Sequence, residues 1–111
     1  MPSPAAEADT APQDDEDVAR YGDLFRSWLE RHKIYPRSAQ RLRIEGEGML
    51  RIIIDRTGRI QHVALEKRTG NRLLDQAALA MARRANPFPP VPETVSQKEL
   101  EFIVPVVFAL H

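Results

Sequence analysis

The sequence predicts a small α+β domain, a three-stranded antiparallel sheet with two main helices packed on one face, and three observations carry that prediction. Two runs rich in β-branched residues, 49–55 and 59–67, flank Asp55-Arg56-Thr57-Gly58 and read as a hairpin. An alanine-rich amphipathic stretch follows, and the chain then returns in a third apolar run, 99–110. A hairpin, a helix and a further strand close into one layer of sheet covered by one layer of helix.

The 111 residues suffice for one domain, and the absence of cysteine leaves neither a disulfide framework nor a thiolate metal site. No run approaches the length of about 18 apolar residues that a membrane span needs. The formal net charge of zero is divided unevenly along the chain. Residues 1–19 carry six acids and no Lys or Arg, so residues 20–111 hold all 16 basic side chains against the ten remaining acids. A basic body looks for an anionic neighbour, whether nucleic acid, lipid head groups or an acidic peptide.

Residues 1–17 are acidic and rich in Pro and Ala, a composition that cannot repay ordering, and they are expected to form a disordered linker ahead of a domain over 18–111. From Val18 to His32, Tyr21, Leu24, Phe25, Trp28 and Leu29 form the i, i+3, i+4, i+7, i+8 stripe of an amphipathic helix. Pro36 pushes Tyr35 out of the helical region and then opens a short helix carrying Ala39 and Leu42 inward. Gly46 and Gly48 mark a turn or close backbone approach; GEGMLR lacks the third glycine and following helix of a dinucleotide fingerprint.

In the first strand Leu50, Ile52 and Ile54 share one face. In the second, Ile60 and Val63 are an odd distance apart, which a bulge near Gln61, or an early start outside the ladder, would resolve. Asn71 is a candidate cap for the helix ending at Ala85, whose inner stripe is Leu74, Ala77, Ala78, Met81 and Ala85. Four prolines between residues 87 and 92 stop it. The last run is the densest in β-branched and aromatic residues, and Pro105 in its middle has no N–H for a ladder. Such a strand is expected at a sheet edge, or bulged, and not in a sheet centre, and an edge is where another chain can dock.

The candidate chemistry is sparse. His32, His62 and His111 are scattered over a helix end, a strand and the terminus, which reads as solvent-facing or capping histidines and no metal site. Asp55 starts a turn and Asp75 sits in a first helical turn, neither beside a base or nucleophile, so no catalytic residue and no cofactor are expected. Arg83-Arg84 and Lys67-Arg68 with Arg72 read as solvated surface. A small basic nucleic-acid-binding α+β domain is the alternative, but Phe102 and Phe108 are the sole strand aromatics, and their even spacing puts both on one face, in the core.

One set of residues goes further. Tyr35-Pro36-x-x-Ala39, Arg43-Ile44-Glu45-Gly46, Asp55-x-x-Gly58-Arg59-Ile60, Leu74-Asp75-x-Ala77-Ala78, Pro87-Phe88-Pro89 and Phe102-x-Val104-Pro105-x-x-Phe108 stand in an order and spacing that resembles the C-terminal domain of TonB-family energy transducers. The resemblance runs from about Tyr21 to Leu110. It implies a periplasmic, non-enzymatic domain of a protein anchored in the bacterial inner membrane, working with ExbB and ExbD through an N-terminal anchor that this chain lacks. It implies as partner the TonB box of an outer-membrane TonB-dependent transporter, captured as an added strand so that siderophore, haem or vitamin is taken up. The implied contacts are His32, Lys33, Ile34, Tyr35 and Pro36 together with Phe102, Val104, Val106 and Phe108, and Tyr35 is expected to hold its hydroxyl at the docking edge. Family members often carry glutamine among the positions of 32–35 and this chain does not, which implies a different or narrower set of transporters. A TolA-like periplasmic scaffold shares the general layout, and an exposed edge also makes self-pairing an expectation.

Overall fold

A computed structural model describes the backbone of residues 3–111 and the side chains of residues 15–111. Six elements follow in order: α1 (Ser3–Glu30), α2 (Arg37–Arg41), β1 (Gly46–Asp55), β2 (Ile60–Lys67), α3 (Arg72–Ala85) and β3 (Glu99–Phe108). The sheet order is β2-β1-β3 with both pairings antiparallel, so the hairpin occupies one side of the central strand and the last strand the other. This is the α+β architecture expected.

Within α1 most of the predicted stripe packs inward, with Tyr21, Phe25 and Leu29 buried, whereas Leu24 is 45% exposed at the margin of the stripe. The linker expected over 1–17 falls largely outside the described side chains; where the backbone is described, it continues α1. Glu16 and Asp17 each lie 3.8 Å from the Arg20 guanidinium, the i,i+4 and i,i+3 pairing that favours a helix here. α1 lies against α3 through the Trp28 indole, whose Nε1 donates to the Ala85 carbonyl at 2.8 Å. Arg84 returns the link, donating through Nη2 to the His32 carbonyl at 2.7 Å.

The Asn71 side chain caps α3, accepting from the Leu73 and Leu74 N–H groups at 2.8 and 3.3 Å. Asp75 then accepts from the Thr69 N–H and hydroxyl, which ties the β2–α3 turn to the helix it precedes. Leu74, Ala78, Met81, Ala82 and Ala85 are buried against the sheet, whose inner face is Leu50, Ile52 and Ile54 of β1 with Leu100, Val104, Val106 and Phe108 of β3. Small alanines on α3 let the helix approach this face closely.

Two turns show why the sequence closes as it does. Gly58 has φ of +88°, and a Cβ there would stand 2.0 Å from the Phe88 carbonyl oxygen. The Phe88 N–H in turn donates to the Gly58 carbonyl at 2.7 Å, so the hairpin tip and the proline segment are pressed backbone to backbone. Asp55 organises the same turn by accepting from the N–H and hydroxyl of Thr57 and from the Arg59 N–H. Those hydrogen bonds, Thr57's first, hold its carboxyl below the ordinary 3.8. Past the prolines, the loop over 93–98 is ordered by one side chain: the Arg56 guanidinium donates to the Val95, Gln97 and Pro92 carbonyls at 2.6, 2.7 and 3.0 Å.

Of the two arrangements that the spacing of Ile60 and Val63 allowed, β2 adopts the bulge. Ile53 pairs with His62 and Ile54 with Ile60, leaving Gln61 as the extra residue, and a second irregularity between Met49 and Leu50 sets Glu66 outside the register. A second inward position departs from expectation. Leu42 is 69% exposed, because α2 ends at Arg41 and Arg43 enters the left-handed region at φ of 54°, turning the chain before the leucine can reach the core. Ala39 alone anchors α2.

Candidate docking edge

The two edges of the sheet are unlike. β2 carries two bulges, a device that twists an edge away from intruding strands. β3 pairs with β1 over ten consecutive residues, Glu99 to Phe108, with no register shift. Among the described residues no strand pairs with its other side. β3 therefore presents a straight, regular edge.

Which backbone groups face outward follows from the register. The Asp55 N–H donates to the Arg59 carbonyl at 2.9 Å, so the odd-numbered residues of β1 turn their N–H and C=O toward β2 and the even-numbered ones toward β3. Met49 stands opposite Pro105 and Leu50 opposite Val104. The hydrogen-bonded partners in β3 are then the even-numbered residues, and Met49–Pro105 is a non-hydrogen-bonded pair. The nitrogen of Pro105 points to the free side. A ladder continuing through a proline without a shift has no other arrangement. An independent contact agrees: the Val107 carbonyl, on the same outward set, accepts from Lys33 Nζ at 2.9 Å.

The free edge is thus the backbone of Glu99, Glu101, Ile103, Pro105 and Val107. Their side chains lie on the outer face of the sheet, where Ile103 is 47% and Val107 43% exposed. On that face Arg51 Nε donates to Glu101 across the β1–β3 pair. Of these five only Pro105 stood out in the sequence. The alternating pattern was the available signal, since burying Phe102, Val104, Val106 and Phe108 necessarily leaves the intervening backbone at the edge.

The predicted contact residues divide accordingly. Val104, Val106 and Phe108 are core side chains, and Phe102 is half-buried in an aromatic cluster, 4.4 Å from Phe25 and 5.9 Å from Tyr21 between ring centroids. Their backbone groups bond to β1. Lys33 does reach the edge, ion-paired with Glu30 at 2.6 Å and 6.0 Å above the Phe108 ring. Ile34 is 58% exposed beside it, and Pro36 caps α2. His32 is turned back on its own helix, its Nδ1 2.8 Å from the Trp28 carbonyl, which fixes that nitrogen as the protonated one. Tyr35 packs edge-on against Phe108 at 5.4 Å, as a wedge between segment and sheet. Its hydroxyl is not at the edge, however; it donates to the Ile44 carbonyl and staples the turn after α2. Burial of the ring region, and then the nearby Glu45 charge, push the Tyr35 hydroxyl pKa upward.

This is an α+β domain with one bulged and one regular, unpaired sheet edge among the described residues. The match to known proteins gives it a family. The model of the Gram-negative bacterial TonB protein C-terminal covers residues 31–110, and the chain belongs to that family. It is 32% identical over 110 residues to Protein TonB of Pseudomonas putida, covering 98% of this chain and 42% of the relative. To Protein TonB of Pasteurella multocida it is 30% identical over 95 residues, 86% of this chain and 36% of the relative. The chain therefore spans about two-fifths of the length of these relatives. Among solved structures it is similar to the Helicobacter pylori TonB C-terminal domain, with a TM-score of 0.68 at 24% identity over 79% of this chain and 78% of that one. The HasB C-terminal domain matches at a TM-score of 0.52 and 33% identity, over 78% of this chain and 66% of that one.

The basic surface has a structural use in part. Arg84 is engaged with the His32 carbonyl and Arg56 with the loop after the prolines. Phe108, on which a nucleic-acid module would stack a base, is buried, and Phe102 lies against Phe25.

Proposed function

We propose that the domain captures the TonB box of an outer-membrane TonB-dependent transporter as a fourth strand on the free edge of β3, and that the longer protein it belongs to transmits inner-membrane proton-motive energy through this contact. The observation that carries the reading is the regular ten-residue edge of β3 opposite the bulged edge of β2. Strand addition draws affinity from main-chain hydrogen bonds and selectivity from the side chains beside them. The outward groups of β3 supply the first, and Lys33 and Ile34, next to the edge, contribute to the second. Membership of the TonB C-terminal family supports a periplasmic address, an inner-membrane anchor and ExbB and ExbD as partners of the whole protein. Among the described residues no helix is long and apolar enough to cross a membrane.

The test is a titration of a synthetic TonB-box peptide into the domain, followed by amide chemical shifts. Residues of β3 and 32–36 are expected to move together and saturably. If they stay in place at millimolar peptide, the reading is wrong.

A further inference from the structure

The free edge of β3 is not uniform along its length. Glu99, Glu101 and Ile103 each offer a donor and an acceptor to a new strand. Pro105 offers only its carbonyl. At Val107 the carbonyl is already occupied by Lys33 Nζ at 2.9 Å. That ammonium is held in place by Glu30 at 2.6 Å, and its side chain is only 26% exposed. Two successive outward positions are thus depleted at one end, and both at the same end.

At the opposite end the edge opens beside a cleft. A space of about 230 Å³ lies between α1 and the start of β3, lined by Val18, Gln97, Glu99, Leu100, Glu101 and Phe102. A strand paired with residues 99–103 places alternate side chains on the inner face of the sheet, as Leu100 and Phe102 are placed. The side chain opposite them enters this cleft. Its floor is Val18, Leu100 and Phe102, which suits an aliphatic group. At the other end the Lys33 ammonium stands 6.0 Å from the centroid of the Phe108 ring.

We infer that Lys33 acts as a register stop: with Pro105 it closes the far end of the docking edge, and it confines an added strand to residues 99–103 with one aliphatic side chain seated in the cleft beside Val18. The inference rests on strand addition as proposed above, and gives Lys33 a role other than direct attraction of the peptide. A Lys that merely binds the partner weakens it when removed; a Lys that fills the Val107 carbonyl lengthens the ladder when removed.

Amide hydrogen exchange, read by NMR on the whole chain, separates these outcomes. The probe is a synthetic nine-residue peptide spanning a TonB box, at saturation. In the native chain the Glu101 and Ile103 amides are expected to slow about tenfold or more, and Val107 less than about twofold. Lys33→Met keeps the apolar stem and removes the donor, and in it the Val107 amide is expected to slow alongside Ile103. Equal slowing of Ile103 and Val107 in the native chain overturns the register stop and leaves strand addition standing. A Val107 amide that stays fast in K33M overturns the role of Lys33. If no outward amide of β3 slows, strand addition itself fails and takes the inference with it.

Discussion

Proline placed at two adjacent positions of β3 should have opposite consequences, because one backbone N–H belongs to the fold and the other to the docking edge. Val104 pairs with Leu50 on the hydrogen-bonded side and is 4% exposed. Val104→Pro removes a ladder hydrogen bond in the sheet interior, where proline costs about 3 kcal/mol or more, and it also loses part of a buried valine. Against a total stability of about 5–15 kcal/mol that is a large fraction, and the urea midpoint should fall accordingly. Ile103→Pro leaves every β1–β3 bond intact, since the Ile103 N–H points outward, on the same side as the nitrogen of Pro105. Its stability should change by about 1 kcal/mol or less, from backbone restriction and a half-exposed side chain. Peptide affinity should fall by the net worth of one hydrogen bond, about 0.5–1.5 kcal/mol, which is a factor of about two to twelve in Kd. Urea unfolding and peptide titration on both variants supply the four numbers. Should I103P lose as much stability as V104P, the assignment of outward and inward residues is wrong. The same logic places Val106 on the inward set, so Val106→Pro should weaken binding by weakening the sheet, not by thinning the edge.

Other perturbations test the scaffold that holds this edge. Gly58→Ala puts a Cβ 2.0 Å from the Phe88 carbonyl oxygen at φ of +88°, and should cost roughly 3 kcal/mol or more in urea unfolding. Trp28→Phe removes the indole donor to the Ala85 carbonyl at 2.8 Å and leaves that acceptor without its protein partner, which should cost about 1–3 kcal/mol by thermal or urea unfolding. Asp55 has a folded pKa below its ordinary 3.8, so its hydrogen bonds stabilise the fold fully above that value and lose their contribution as pH falls through the lower folded one. Asp55→Asn should therefore flatten the acid limb of stability against pH, and an unchanged limb would show that the turn is held by other means.

Much of the fold was legible because pattern and chemistry agreed. The odd spacing of Ile60 and Val63 called for a bulge near Gln61 or an early start outside the ladder, and the structure has the bulge, while Asp55-x-x-Gly58 and Asn71 specified a turn and a cap that form as expected. Pro105 correctly marked β3 as an edge strand. The direction in which it faces was not legible, because periodicity gives the face of a sheet and not which neighbour a backbone group addresses; that needs a register. The second bulge at Glu66 left no trace in the apolar pattern, and Leu42 looked inward because nothing in its sequence announced the left-handed Arg43 that redirects the chain. Residues were singled out for being apolar, so Phe102, Val104, Val106 and Phe108 were named where the backbone between them forms the edge. The Tyr35 hydroxyl, expected at the docking edge, found a local carbonyl at Ile44 while its ring packs against Phe108. Long-range side-chain to backbone bonds, such as Arg56 to the loop at Val95 and Lys33 to Val107, have no sequence signature at all.

The claim at the centre is that a partner strand docks on β3 and not on β2, and the cysteine-free chain allows it to be tested directly. Single cysteines at Ile103 on one edge and Gln61 on the other can each be offered a TonB-box peptide carrying one cysteine at successive positions, with disulfide yield as the readout. The account predicts a strong, position-dependent yield at residue 103 and only background at residue 61. Equal yields at both positions, or a higher yield at Gln61, would contradict it.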